Sequence, residues 1–210
     1  MTKAECIKNT FDVINKHTLG DFVTIRNFSD IPDKSSIKND IDVMLSAKYL
    51  GKLEHALITK GFICHVDQLK YLYGAEPHMH FEQRELDVHF DIVTGLYYRS
   101  SNDLQMFVKV NDTLTKSMFD NKVAVDEIWI NQPAPEDELV HLCCHAIFDK
   151  RLVKPAYAER INVLFTQCDH IKLTLLLTSA FYKVAKSIFN TIEQNQTSTL
   201  YDVYHSFNNY

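Results

Sequence analysis

Two short segments, NDIDVML at 39–45 and RELDVHFDI at 84–92, alternate acid or imidazole with aliphatic and aromatic residues. A period of two belongs to an extended strand with one apolar and one polar face. In the first segment Ile41 and Val43 oppose Asp40 and Asp42; in the second, Leu86, Val88 and Phe90 oppose Asp87, His89 and Asp91. The apolar faces need a covering layer, and helical stripes flank them in the chain. Ala4 to His17 spaces Cys6, Ile7, Phe11 and Ile14 at three and four residues, and Lys48 to Lys60 reads as a helix stopped by Gly61. Phe22–Phe28, Phe62–Val66, Pro77–Glu82 and Arg84–Ile92 read as further strands. Between Gly95 and Asn131 the pattern predicts a strand near Gln105–Val110, a helix near Leu114 and a strand near Glu127–Ile130. From Glu136 the chain turns helical, over Ala156–Gln167, His170–Glu193 and a short tail helix. The expectation is an α/β (α+β) chain, with a mixed sheet flanked by helices over 1–132 and a helical region over 133–210.

The bulk numbers describe a folded globule: 210 residues, 46% hydrophobic and 23% charged, with five glycines and five prolines. A formal charge of −5 argues against an extended nucleic acid footprint, while a small, cation-neutralised nucleotide stays compatible. The five cysteines show no paired spacing, the start MTKAECIKNTFDVINK lacks the apolar core of a signal peptide, and lysines interrupt Ile171–Phe189. These features point to a soluble cytoplasmic chain without a membrane span.

Asp40 and Asp42 on one strand face repel each other unless protonated or neutralised, and a hard divalent cation is the usual remedy. If the second strand lies alongside, Asp87 joins them, and three carboxylates suffice for two ions about 3.5–4 Å apart, an arrangement suited to in-line displacement at phosphorus. Just before the pair, Lys34, Ser35, Ser36 and Lys38 supply donors and positive charge where a triphosphate would enter. The plain alternative is a solvated acidic strand face.

The run FVTIRNFSDIPDKSSIKNDIDVMLS, followed by a helix and later by ELDVHF, resembles the nucleotidyltransferase superfamily. Its signature is a donor-bearing turn, Asp-x-Asp, then an Asp on a later strand. The chain is most similar to a bacterial branch in which Arg or Lys plus a small residue precedes Asp-Ile-Asp and the later strand reads Leu-Asp-hydrophobic-His. The similarity covers about residues 22 to 92, with a weaker echo in HLCCHAIFDK. It implies a polymerase-beta-like fold and Mg²⁺ (or Mn²⁺) held by Asp40, Asp42 and Asp87. It also implies attack of an acceptor hydroxyl on the α-phosphate of a nucleoside triphosphate, releasing pyrophosphate, with a small-molecule or sugar-type acceptor. Most members carry Gly-Ser or Gly-Gly where this chain has Arg26 and Asn27. Arg26 can replace the lost backbone contact as a guanidinium fork on phosphate, or bind a site acid in an inactive relative.

Two other readings stand beside this one: a catalytically silent module that binds nucleotide or protein, and a toxin- or defence-type transferase acting on RNA or protein. His89, Asp91, His145, Asp149 and Lys150 are candidate cleft contacts. His78 and His80 in PHMHFE share a face and with His89 can approach a transition metal, or simply form a polar sheet face. His141 and His145 have a spacing that zinc uses, but Leu142 stands where a zinc protease carries its glutamate. Gly-x-Gly-x-x-Gly, Gly-x-x-x-x-Gly-Lys and Gly-x-Ser-x-Gly runs are all missing, which removes support for Rossmann, P-loop and hydrolase-elbow sites.

Overall fold

The computed structural model describes residues 1–26, 28, 31, 40–66, 78–99, 107–125 and 129–207. Packing resolves these into two compact units, one comprising Met1–Leu96 with Asn121–Pro133, the other Tyr97–Asp120 with Ala134–Tyr210.

The first unit is built on a five-stranded sheet of β1 (Phe22–Arg26), β2 (Ile41–Leu45), β3 (Ile63–Val66), β4 (His78–Gln83) and β5 (Val88–Val93). The spatial order is β1-β2-β5-β4-β3. β2 and β5 run parallel, and β1, β4 and β3 pair antiparallel with their neighbours, so the sheet is mixed. Helix α1 (Lys3–Thr18) opens on a capping box in which Thr2 and Glu5 satisfy each other's backbone N–H groups. It closes where Leu19 and Gly20 turn to positive φ. Its buried stripe, Cys6, Ile7, Phe11 and Ile14, packs with Leu53 and Leu57 of α2 (Leu50–Thr59) over Ile41, Val43, Phe90 and Ile92 of the sheet. Phe11 meets Phe90 edge-on at 5.6 Å, and Phe62 meets Phe90 at 6.2 Å, so a single ring ties both sides of the sheet's apolar face together. A hairpin of β8 (Val123–Val125) and β9 (Ile130–Gln132) completes the unit; Asn131 donates to the carbonyls of Gly20 and Phe22 at 3.0 and 3.1 Å.

The second unit is helical apart from the hairpin of β6 (Tyr97–Arg99) and β7 (Phe107–Lys109). Proline opens the helices Pro135–Cys144 and Pro155–Phe165, where a missing N–H costs nothing. Leu139, Cys143, Ile147, Ile161, Leu164, Leu173, Leu177 and Ile188 form its buried interior.

The sequence expectation needs four corrections. The strand expected near Glu127–Ile130 is β9 at Ile130–Gln132, with Trp129 just ahead of it in a turn at φ 55°. The strand expected over Arg84–Ile92 begins only at Val88, because residues 84–87 form the turn between β4 and β5, with Asp87 at φ 50°. The single helix expected over His170–Glu193 is two, His170–Phe181 and Ala185–Glu193, broken at Tyr182 (φ 51°). The helix from Pro135 loosens into a π-helical segment, His145–Lys150, that inserts an extra residue per turn.

Candidate functional site

The sheet face opposite α1 and α2 is polar. From β1 to β3 it carries Arg26, Asp42, Asp91, His80 and His65 in lateral succession, because each is the ladder partner of the next: Arg26↔Asp42, Asp42↔Asp91, Asp91↔His80 and His80↔His65. Partners directly opposite share a face, so alternation within each strand places Asp40, His78, Glu82 and His89 on the same side.

Arg26 reaches this row through a β-bulge. Phe22, Val23 and Thr24 pair one-to-one with Leu45, Met44 and Val43, after which Arg26, and not Ile25, faces Asp42. The extra residue re-aims the strand end. The guanidinium then forks onto Asp42, with Nε donating to Oδ2 at 2.9 Å and Nη2 to Oδ1 at 2.7 Å. Asp42 is buried, which pushes its carboxyl up, against the pull of Arg26. Burial also raises Asp40, with the Asp91 charge adding to it and His80, His89 and Arg26 opposing. At Asp91 burial works against ionisation, yet hydrogen bonds from His78 and His80 overcome it and bring the carboxyl to about 2. His80 Nδ1 lies 2.7 Å from Asp91 Oδ1 and His78 Nε2 lies 3.3 Å from Oδ2.

The parallel ladder brings Asp91 beside Asp42. Asp87 sits elsewhere: in the turn one residue ahead of β5, half-exposed, with Lys3 Nζ at 3.6 Å and His89 Nε2 at 3.1 Å. The three strand steps from Val88 to Asp91 alone span roughly 10 Å. The His89 bond, then Lys3, keeps Asp87 below the ordinary carboxylate range. Asp91, which the alternation had marked only as a cleft contact, is the carboxylate that strand pairing carries to the Asp-x-Asp pair. The signal was the second acid of ELDVHFD, and it needs the register to be read.

Among the described residues, one group of ligand-type side chains converges closely: Asp40, His80 and His89 each offer an atom, all within 4.8 Å of one another. The remaining expected contacts divide in two. Asn27, Lys34, Ser35, Ser36 and Lys38 lie outside the described residues. His145 and Lys150 belong to the second unit, where buried His145 Nδ1 is 3.0 Å from Asp149 Oδ2 and Lys150 is exposed at the end of the π-helical segment. The cysteines are free, and burial pushes the Cys143 and Cys144 thiols far up, which removes them as nucleophiles. No described helix is long and apolar enough to cross a membrane.

A family model described as "Uncharacterised nucleotidyltransferase" matches residues 37–155, from just ahead of β2 to the start of the helix Pro155–Phe165. No curated protein matches the chain, and no solved structure does.

Proposed function

The chain belongs to this nucleotidyltransferase family, and on that premise we propose that it moves a nucleoside monophosphate from a nucleoside triphosphate to a hydroxyl of a small-molecule or sugar-type acceptor. The acceptor oxygen bonds to the α-phosphorus, the bond from that phosphorus to the bridging oxygen breaks, and pyrophosphate leaves with the bonding pair. The hydroxyl proton passes to a carboxylate of the polar face or to solvent.

The observation that carries this reading is the parallel ladder that sets Asp42 beside Asp91, with Asp40 one alternation earlier on the same face. Nucleotidyltransferases use divalent metals, and the donor set fits one. Asp40 and Asp42 are partly or wholly buried carboxylates, both raised by burial and by neighbouring negative charge, so a dication relieves a cost the fold already bears. Asp40 and Asp42 would hold Mg²⁺ or Mn²⁺. When bound, the ion neutralises phosphate charge and acidifies the attacking hydroxyl. The protein's own groups position. Arg26, at the end of β1, holds Asp42 through its Nε and Nη2 fork, and a phosphate would draw that guanidinium, a group suited to planar pairing with phosphate oxygens, away from Asp42. Asp91 holds His78 and His80, and Asp87 is assigned to His89, which it orients.

A second reading, a silent nucleotide- or protein-binding module, draws on the same Arg26 fork, which occupies one lone pair on each Asp42 oxygen. Thermal unfolding separates the two. A nucleoside triphosphate with Mg²⁺ or Mn²⁺ should raise the melting temperature, and Asp42→Ala should abolish the shift. No shift with any ribonucleotide or deoxynucleotide triphosphate would remove nucleotide from both readings.

A further inference from the structure

We infer that Asp40, His80 and His89 form a site for one transition-metal dication, Mn²⁺, Co²⁺ or Zn²⁺, in preference to Mg²⁺. The three groups come from adjacent positions of one sheet: Asp40 from the residue ahead of β2, His89 from β5 and His80 from β4, with β5 lying between the other two strands. Their nearest ligand atoms lie within 4.8 Å of one another. Ligands on a tetrahedral ion at about 2.1 Å stand about 3.4 Å apart, so the three groups need to close by about 1.4 Å at most to share one ion. The His80 and His89 ring centroids are 5.6 Å apart.

Each imidazole is also prepared by a carboxylate behind it. His80 Nδ1 is 2.7 Å from Asp91 Oδ1, and His89 Nε2 is 3.1 Å from Asp87 Oδ1. A carboxylate accepts, so the bonded nitrogen carries the proton and the other ring nitrogen presents its lone pair. Nε2 of His80 and Nδ1 of His89 are the nitrogens that remain, and neither has a hydrogen bond among the described residues. Carboxylate–histidine pairs of this kind fix the tautomer of metal ligands and raise their basicity. Two imidazoles and one carboxylate suit Mn²⁺, Co²⁺ or Zn²⁺, whereas Mg²⁺ favours an all-oxygen shell. Histidine–carboxylate pairs recur on this face, at His65–Glu82 and His78–Asp91 as well, so what sets His80 and His89 apart is that their rings converge with Asp40.

Asp40 is common to this donor set and to the one proposed for nucleotide transfer, but the inference is tested without nucleotide. Loss of transfer with metal binding intact would count only against the proposed reaction. The metal-free full chain is titrated by calorimetry with Mn²⁺, Co²⁺, Zn²⁺ and Mg²⁺. One ion per chain is expected, with each transition ion at least about tenfold tighter than Mg²⁺. His80→Gln and His89→Gln should each weaken it by more than about tenfold, and Asp87→Asn, acting only through His89, by roughly 10–100-fold. On the unaltered protein, imidazole ¹⁵N spectra recorded with Zn²⁺ should shift His80 Nε2 and His89 Nδ1 among the ten histidines. Equal affinity for Mg²⁺, folded His80 and His89 variants that bind as the parent does, or shifts confined to other histidines would overturn the inference.

Discussion

Replacing Arg26 by Met removes the fork from Asp42, a carboxylate whose side chain is only 11% exposed; Arg26 itself is 21% exposed. Removing one partner of a buried pair costs about 3–5 kcal/mol, and the residual exposure of Arg26 places this case at the lower end, about 3 kcal/mol at neutral pH. The sign of the pH dependence follows from burial, which raises Asp42 even with Arg26 present. Without Arg26 it rises further, so the folded variant binds a proton that the unfolded chain, titrating near about 3.9, has released. The deficit relative to the parent is therefore full above the variant's folded value and shrinks as pH falls toward about 4. Urea denaturation of parent, Arg26→Met and Arg26→Met/Asp42→Asn at pH 7.5 and pH 5 measures this. The double variant should recover to within about 1 kcal/mol of the parent, because an amide needs no counter-ion. A single-variant loss below about 1 kcal/mol at pH 7.5, an unchanged loss at pH 5, or a double variant no better than the single one would refute the reasoning.

Asp137 provides a pH test in the second unit. Burial first, with Glu136 adding, raises it from 3.8 to about 6 against a Ser117 hydrogen bond and the Lys172 charge. A raised carboxyl stabilises the fold below its unfolded value, so between about pH 4 and 6 stability should fall by up to about 3 kcal/mol. Asp137→Asn should flatten that segment of the stability–pH curve measured by chemical denaturation, and an unchanged curve would exclude Asp137 as its source. Phe90 is fully buried between Phe11 and Phe62. Phe90→Ala should cost about 3–5 kcal/mol with little change in the denaturant slope, and a loss under about 1 kcal/mol would mean the three rings do not pack as described.

Local chemistry made much of the first unit legible. The stripe of α1, the stop at Gly61 and the alternation of IDVML and VHFDIV are periodic signals that tertiary packing reinforces. The start of Pro135–Cys144 was legible too, since a proline and three acids mark a helix N-terminus. Which acid of ELDVHFD lies beside Asp42 was not. ELDVHFD offers Asp87 and Asp91 on the same parity, and only the length of the β4–β5 turn and the parallel register with β2 decide which one meets Asp42. The bulge in β1 is likewise silent in FVTIR, where nothing distinguishes Ile25 as the extra residue. The break at Tyr182 lacks glycine or proline: buried Phe181 precedes a Tyr182 that is 70% exposed at positive φ, and no local residue type announces it. The His80–Asp91 and His89–Asp87 pairs were hidden because they join residues of different strands or a strand and a turn.

The most direct test of the central claim is pyrophosphate release from α-labelled nucleoside triphosphates with Mg²⁺ or Mn²⁺, across a panel of hydroxyl acceptors, for the parent chain and Asp42→Ala. The account predicts acceptor-dependent release with label transferred to the acceptor, and loss of both in the variant by at least about 10²-fold. Nucleotide binding with no release above the Asp42→Ala level for any triphosphate and acceptor would contradict it and leave the silent module.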